Sequence, residues 1–336
     1  MMKFVNRTIY LFYYLKNEDF GLIRKFLNYA KKLTGRTKSA LLVDMIVCVY
    51  KYNISLKDYF YFRFFEIDTN ERKKWVGTGF MYEFQLKMNP KNNRKVLEDK
   101  IQFLGKYSSY VRRKVLTYRQ AFNDKEKLNQ IFNNKSGKLV LKGSLGQVGA
   151  EVKVIKCDDY NADSLLHFMM QNKFDLIEEY VIQHPMLMQL SDSGLNTIRI
   201  FTQLNNGEVD ILGARLRITV NSEVDNMAAG NLAAPIDVIN GSVSGPGVYS
   251  DITKEDVSIH PVSNESIEGF KIPFWSETIE LVTKAALSNS SNQSIGWDIA
   301  ISEYGPELIE GNHNWCKLLW QLPVKKGLKD KLLKYM

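Results

Sequence analysis

Gly296-Trp297-Asp298-Ile299-Ala300-Ile301-Ser302-Glu303-Tyr304-Gly305-Pro306-Glu307-Leu308-Ile309-Glu310-Gly311-Asn312 is the stretch from which the rest of the chain can be read. Two apolar runs of strand length flank a turn near Tyr304, which predicts a β-hairpin with strands over Ile295 to Ile301 and Glu307 to Asn312. Centred there, the hairpin sets Asp298 opposite Glu310, since each lies six residues from Tyr304. Like charges directly across a sheet destabilise it, and a divalent cation between them reverses the sign. Asn312, two residues further on, shares the face of Glu310 and adds a neutral oxygen. Hard oxygen donors of this kind, with phosphate oxygens completing the shell, suit Mg2+. Without metal the two acids are expected to repel, so neutralising either should leave the protein at least as stable. A structural salt bridge predicts the reverse.

Working back along the chain, Val140-Leu141-Lys142-Gly143-Ser144-Leu145-Gly146-Gln147-Val148-Gly149 ends a short apolar strand in a lysine and continues as a glycine-rich turn. Glycines let backbone N–H groups close over phosphate oxygens, and the lysine adds a point charge. Lysine precedes the glycines, the reverse of a P-loop, and no kinase HRD or DFG follows. A plain hairpin turn would read the same way. Asp175-Leu176-Ile177-Glu178-Glu179-Tyr180-Val181-Ile182-Gln183-His184 is an apolar strand closing on acids. Its terminal backbone groups can meet an adenine edge, and an amphipathic strand explains it equally well. Arg199, and Arg215 with Arg217 two residues apart on one strand face, could converge on a phosphoryl group or an oxyanion; a solvated strand face is the alternative.

The remaining candidates are weaker. His167, His260 and His313 read as structural or exposed, whereas His184 adjoins the acidic strand. No GxSxG nucleophile motif, CxxC pair or HExxH occurs, and the three cysteines are scattered, so neither a disulfide framework nor a zinc site is indicated. The start lacks a signal-peptide pattern, and the most apolar run, Ala40 to Tyr50, is far short of the roughly twenty residues that span a bilayer. A cytoplasmic protein is expected. Net charge is +8, but residues 1–120 hold 25 Lys and Arg against 10 Asp and Glu, or +15, leaving −7 for the rest. No recognisable nucleic-acid motif accompanies this basic, aromatic front, and no nucleic-acid partner is expected. A solvated helical surface accounts for it, as does contact with anionic lipid or a lipid-linked substrate at the inner face of a membrane.

Helical spacing appears at Phe20, Ile23, Phe26, Leu27 and Ala30 and again over Leu41 to Tyr50, whereas Trp75 to Pro90 reads as irregular. After the polar stretch Asn89 to Arg94 the texture changes to short strands: 138–142, 150–155, 176–182, 196–204 and 209–220, with helices over 163–172 and 275–288 and a long loop-rich stretch over 226–250. Mixed sheets with helices on them predict an α+β architecture.

The order lysine, glycine loop, acidic strand, arginine strands, then Asp298 with Glu310 and Asn312, resembles the ATP-grasp superfamily over about Leu97 to Leu322. Asp99-Lys100 resembles its first phosphate-contacting lysine. Three stretches most resemble the sugar-transfer-associated ATP-grasp group: Glu178 to Pro185, Asn196-Thr197-Ile198-Arg199-Ile200, and Val224-Asp225-Asn226-Met227-Ala228-Ala229-Gly230. The resemblance implies an ATP-grasp fold of two α+β subdomains (residues 96–185 and 186–322); the chain departs from it at the front, where a helical, basic, aromatic-rich N-terminal domain (1–95) takes the place of the family's usual α/β domain, and a basic tail (323–336) is expected at the other end. It implies ATP and Mg2+ as cofactors. Lys100 and Lys142 would bind phosphates, with Gly143, Ser144, Gly146 and Gly149 in a mobile lid. Glu178, Glu179 and Val181 would hold adenine beside His184, with Gln183 in place of the usual ribose-binding acid. Asp298, Glu310 and Asn312 would ligate magnesium, and Arg199, Arg215, Arg217 and Asn226 would serve catalysis. The implied activity is ATP-dependent ligation of a carboxylate to an amine through an acyl phosphate, on a bacterial surface polysaccharide or its precursor. The rivals are a kinase on the same scaffold and a non-catalytic, nucleotide-binding membrane adaptor.

Overall fold

The structure is a computed structural model and describes residues 2–145 and 152–336. The front is helical: α1 (Met2–Lys16), α2 (Phe20–Thr34), α3 (Lys38–Tyr52), α4 (Leu56–Tyr61), α5 (Thr69–Lys73) and α6 (Thr78–Met88). Capping decides several boundaries. Asp19 and Thr37 accept N–H bonds at the starts of α2 and α3, and Gly35 ends α2 at a φ of 70°, where glycine is unstrained. Phe26, Leu41, Tyr59, Phe60 and Phe64 form the core of this part.

The short helices α7 (Lys95–Glu98) and α8 (Lys100–Tyr107) lead into a four-stranded antiparallel sheet. Its strands are β1 (Val115–Thr117), β2 (Lys138–Lys142), β3 (Val152–Lys156) and β4 (Leu176–Glu179), in the order β1-β4-β2-β3. Helices α9 (Tyr118–Asn123), α10 (Lys125–Phe132) and α11 (Ala162–Asn172) cover one face, where Leu139, Leu141 and Ile177 meet Leu128, Ile131, Leu165 and Met169. Alternation along β2 therefore turns Val140 and Lys142 to the other face.

Past α12 (Pro185–Leu190) lies a five-stranded sheet in the order β7-β6-β5-β8-β9, all neighbours antiparallel. The strands are β5 (Thr197–Asn205), β6 (Glu208–Ile218), β7 (Leu232–Ile236), β8 (Ser294–Ser302) and β9 (Gly305–Asn312). Helix α13 (Trp275–Leu287) packs Val282, Ala285 and Ala286 onto Ile198, Ile200, Leu216 and Ile299. The opposite face carries Arg199, Arg215, Arg217 and Asp298 and is shared between two neighbours. At one end it is roofed by α6, α14 (Lys317–Gln321) and α15 (Lys329–Leu333), whose Phe84, Trp320 and Leu332 join Trp315, just before α14, in one cluster with Phe201. At the other end it looks toward the small sheet.

The expected α+β architecture of mixed sheets and helices is what the chain adopts. Two local expectations fail. Trp75 to Pro90 is not irregular: α6 buries Phe80, Met81, Phe84 and Met88 at helical spacing beneath Trp315 and Trp320, and Gly77 and Gly79 mask that pattern because each lies against Asn53 or Ile54. The loop-rich stretch 226–250 contains β7, whose Pro235 argues against a strand until β7 is seen as the last strand of the sheet, with only isolated bridges to Val243 and Val248 on its outer side.

Candidate functional site

Between the two sheets lies a cleft of about 240 Å3. On the small-sheet side Val140 and Lys142 from β2 and Val152 and Val154 from β3 form its wall, because the register pairs Val140 with Val154 and Lys142 with Val152. Glu178, Glu179, Tyr180 and Val181 close the back as the chain crosses from one sheet to the other. Thr197, Arg217, Asp225, Asn226, Asp298, Ile309, Glu310 and Asn312 line the large-sheet side. An apolar slot at one end thus opens onto a charged floor.

Charge in the cleft is organised around two buried carboxylates. Lys142 Nζ and Arg113 Nε both donate to Glu178 Oε2, at 2.7 and 2.8 Å. Burial alone would raise the Glu178 carboxyl, yet these two cations hold it down at about 2. Arg113 also donates to Glu307 Oε2 and to the Leu308 carbonyl, both at 2.8 Å, so one guanidinium ties β4 to β9 across the sheets. Neither Arg113 nor Glu307 is singled out by the sequence reading. The Arg112-Arg113 doublet before β1 and the lone acid on the turn-proximal half of β9 were the available signals.

On the large sheet, Asp298 and Glu310 are register partners, as the hairpin spacing predicts, with a bulge between Asp298 and Ile299. Asp298 is not a bare acid, however. Arg199 takes both its oxygens, with Nη2 to Oδ2 at 2.7 Å, and Arg217 Nη1 donates to Oδ2 at 3.1 Å. Burial works against the Asp298 charge, but the two arginines hold its carboxyl at about 2. Glu310 goes the other way: burial and then the facing Asp298 charge raise its carboxyl above the ordinary value, while Asn312 Nδ2 donates to it at 3.1 Å. The expected mutual repulsion therefore falls on Glu310 alone, and Asp298 is part of a structural ion-pair set.

The other expected site residues divide. Lys100, at the start of α8 behind the Asp99 cap, lines the cleft, and its N–H reaches the Ser144 carbonyl at 3.0 Å. Ser144 itself donates to Asp175 through N–H and hydroxyl, fixing the exit from β2 beside Gly143. Gly146 and Gly149 lie outside the described residues. Asn226 lines the cleft while its Oδ1 caps the turn before Gly230. Arg217 lines the cleft and pairs with Asp225 at 2.6 Å; Arg199 sits behind Asp298.

Arg215 is placed elsewhere. It shares the face of Arg217, but its guanidinium runs under the roof to the carbonyls of Trp320 and Ala214 and has no place in the cleft. Burial alone pulls it down to about 9. Gln183 and His184 are also placed away from the cleft. The buried Gln183 amide donates to the Gly194 carbonyl and accepts from Asn196 N–H, both at 2.7 Å, so it braces the loop into β5 and leaves nothing for a ribose. His184 Nδ1 accepts from Met186 N–H at the start of α12, and its ring lies edge-on to Phe274. Neither lines the cleft.

Two acids and a carboxamide fit a divalent cation that takes its remaining oxygens from phosphate. No group of three or more His, Cys, Asp and Glu side chains suited to a metal occurs among the described residues, so the chain would supply this small set.

Residues 80–335 match the family described as sugar-transfer associated ATP-grasp. Among curated proteins no relative matches the sequence. Solved structures with remote likeness include the ATP-grasp ligase PsnB complexed with a phosphomimetic variant of minimal precursor, Mg and ADP (12% identity, TM-score 0.42, 76% of this chain and 66% of that one). Others are D-alanyl-alanine synthetase A from Vibrio cholerae (12%, TM-score 0.40, 71% and 60%) and N5-carboxyaminoimidazole synthetase from Staphylococcus aureus (10%, TM-score 0.37, 64% and 44%). The chain spans just under two thirds, or less, of the length of each.

Proposed function

Because the chain belongs to the sugar-transfer associated ATP-grasp family and has its fold, we propose that it is an ATP-dependent carboxylate–amine ligase working through an acyl phosphate. One observation carries this reading. A single cleft brings together an apolar slot, two lysines in its lining, and a floor where Arg217 stands beside the Asp298–Glu310–Asn312 set.

In the proposed reaction adenine lies against Val140, Val154 and the Glu178 to Val181 segment, and the phosphates reach Lys100 and Lys142. A carboxylate oxygen of the substrate attacks the γ-phosphorus, the bond to the β–γ bridging oxygen breaks, and ADP leaves. An amine nitrogen then attacks the acyl carbon; phosphate departs and the amine gives up a proton. Asp298, Glu310 and Asn312 would hold magnesium, whose charge neutralises the triphosphate. Arg217, kept in place by Asp225 and Asp298, offsets charge on the transferring group and on the tetrahedral oxyanion. Asn226 at the cleft lip positions the acceptor. Arg199 acts through Asp298 as a positioning residue. No covalent nucleophile is required.

The favoured substrates are a uronic acid of a bacterial surface glycan and an amino acid, joined in the cytoplasm at the inner face of a membrane. The test is ADP release across uronic acids, amino acids and short peptides, with and without hydroxylamine. A ligase releases ADP only with its carboxylate and yields a hydroxamate. ADP release with a stable phosphorylated product and no hydroxamate would make the protein a kinase. Nucleotide binding without turnover on any carboxylate would make it an adaptor.

A further inference from the structure

Helix α1 carries Val5, Ile9, Phe12 and Tyr13 on one stripe at helical spacing, and all four are exposed, Phe12 and Tyr13 by 69% and 63%. Helix α3, which α1 touches where Arg7 bonds the Tyr50 carbonyl, adds exposed Val43 and Val47. Adjacent helices presenting apolar side chains to solvent is not how a surface of this kind ordinarily ends.

Charge selects the occupant. Helix α1 contains no acid, and Lys16 continues its stripe four residues after Phe12. On α3 Lys51 follows Val47 by the same interval. The sole acid of α3, Asp44, is already taken up by Arg36, Arg72 and Tyr59. Apolar and aromatic side chains bordered by lysines, with acids absent or neutralised, are the pattern of a helix that lies in the headgroup layer of an anionic bilayer. No helix among the described residues is long and apolar enough to cross a membrane, so the contact is lateral. We infer that the α1–α3 face docks on an anionic lipid surface. This names the face behind the membrane placement proposed above and rests on that placement, not on the ligase chemistry.

Flotation of the full chain with vesicles of phosphatidylcholine alone, and of phosphatidylcholine with phosphatidylglycerol, tests it. Wild type should float with the anionic vesicles, much less with the neutral ones, and less as salt rises. Ile9→Glu with Phe12→Glu should lower the bound fraction about tenfold, while the melting temperature and its rise with Mg-ATP stay at wild-type values. Lys16→Glu with Lys51→Glu, which leaves the apolar stripes intact, should shift binding to lower salt and serves if the first pair misfolds. Wild type that fails to float with anionic vesicles overturns the placement and the face together. Wild type that floats equally well with either double variant keeps the placement and overturns the face. Dimers separated by Ile9→Glu, without flotation, would make this an interface between two copies.

Discussion

Asp298 and Glu310 face one another across a ladder yet titrate in opposite directions, and single substitutions should separate them. The folded-state value of Asp298 lies below its unfolded one, so its stabilisation is present above about pH 4 and is lost as pH falls toward about 2. The folded-state value of Glu310 is raised, so its charge costs stability as pH climbs past the ordinary carboxylate range. Glu310→Gln should therefore melt at or above wild type at pH 7, with the gain vanishing in acid. Asp298→Asn leaves buried Arg199 without its carboxylate and Arg217 with Asp225 alone, and should cost about 3–5 kcal/mol. Both should lose turnover. Equal melts for the two variants would show that the arginines do not hold Asp298 as described. At Lys142 the expected change is in affinity: Lys142→Ala removes a charge-assisted contact of about 1.5–3 kcal/mol, so calorimetric binding of Mg-ATP should weaken roughly ten- to a hundredfold. Arg113 remains on Glu178 in that variant, which keeps the fold.

Among the elements, legibility followed period and register. The β8–β9 hairpin was readable as two apolar strands about a short turn; the turn proper is Glu303-Tyr304, and the bulge between Asp298 and Ile299, which leaves Ile309 unpaired, brings Asp298 opposite Glu310. The β5–β6 pair was readable from alternation around Asn205-Asn206-Gly207, where Asn206 and Gly207 take positive φ. What could not be read was direction in space. Arg215 and Arg217 share a face, as period two requires, but nothing local says that Trp320, about a hundred residues later, will roof one and leave the other open. The placement of Gln183 and His184 could not be read either, because a buried brace and a helix cap use the same polar side chains as a ligand site. Strand β8 also depends on a distant contact: a methyl at Gly296 would meet Trp315 Cβ at 2.6 Å. Gly296→Ala should cost about 1–3 kcal/mol by overpacking, read as a lower urea midpoint at unchanged slope. It should also impair turnover, since Asp298 is two residues along the same strand.

Across the whole molecule the two sheets are joined through Arg113, held by Glu178 on one side and Glu307 on the other with all three side chains buried. Arg113→Met leaves both acids without this partner and should cost about 3–5 kcal/mol in chemical denaturation; adding Glu307→Gln should recover part of that. Mg-ATP at a hundred times its Kd should add about 2.7 kcal/mol to wild type, because it binds only the folded state. A smaller gain in Arg113→Met would show that the bridge sets the cleft for nucleotide. The roof over Arg215 has a temporal side as well. Arg199 and Arg215 leave the ribosome well before the groups that answer their charge, Asp298 near the end of the sheet and the Trp320 carbonyl at the end of α14. The central strands β5 and β6 can pair with each other early, but their buried cations stay unanswered until the last strands and helices have been made. Closure of the large sheet around these cations is thus expected to wait until β8 and α14 have left the ribosome.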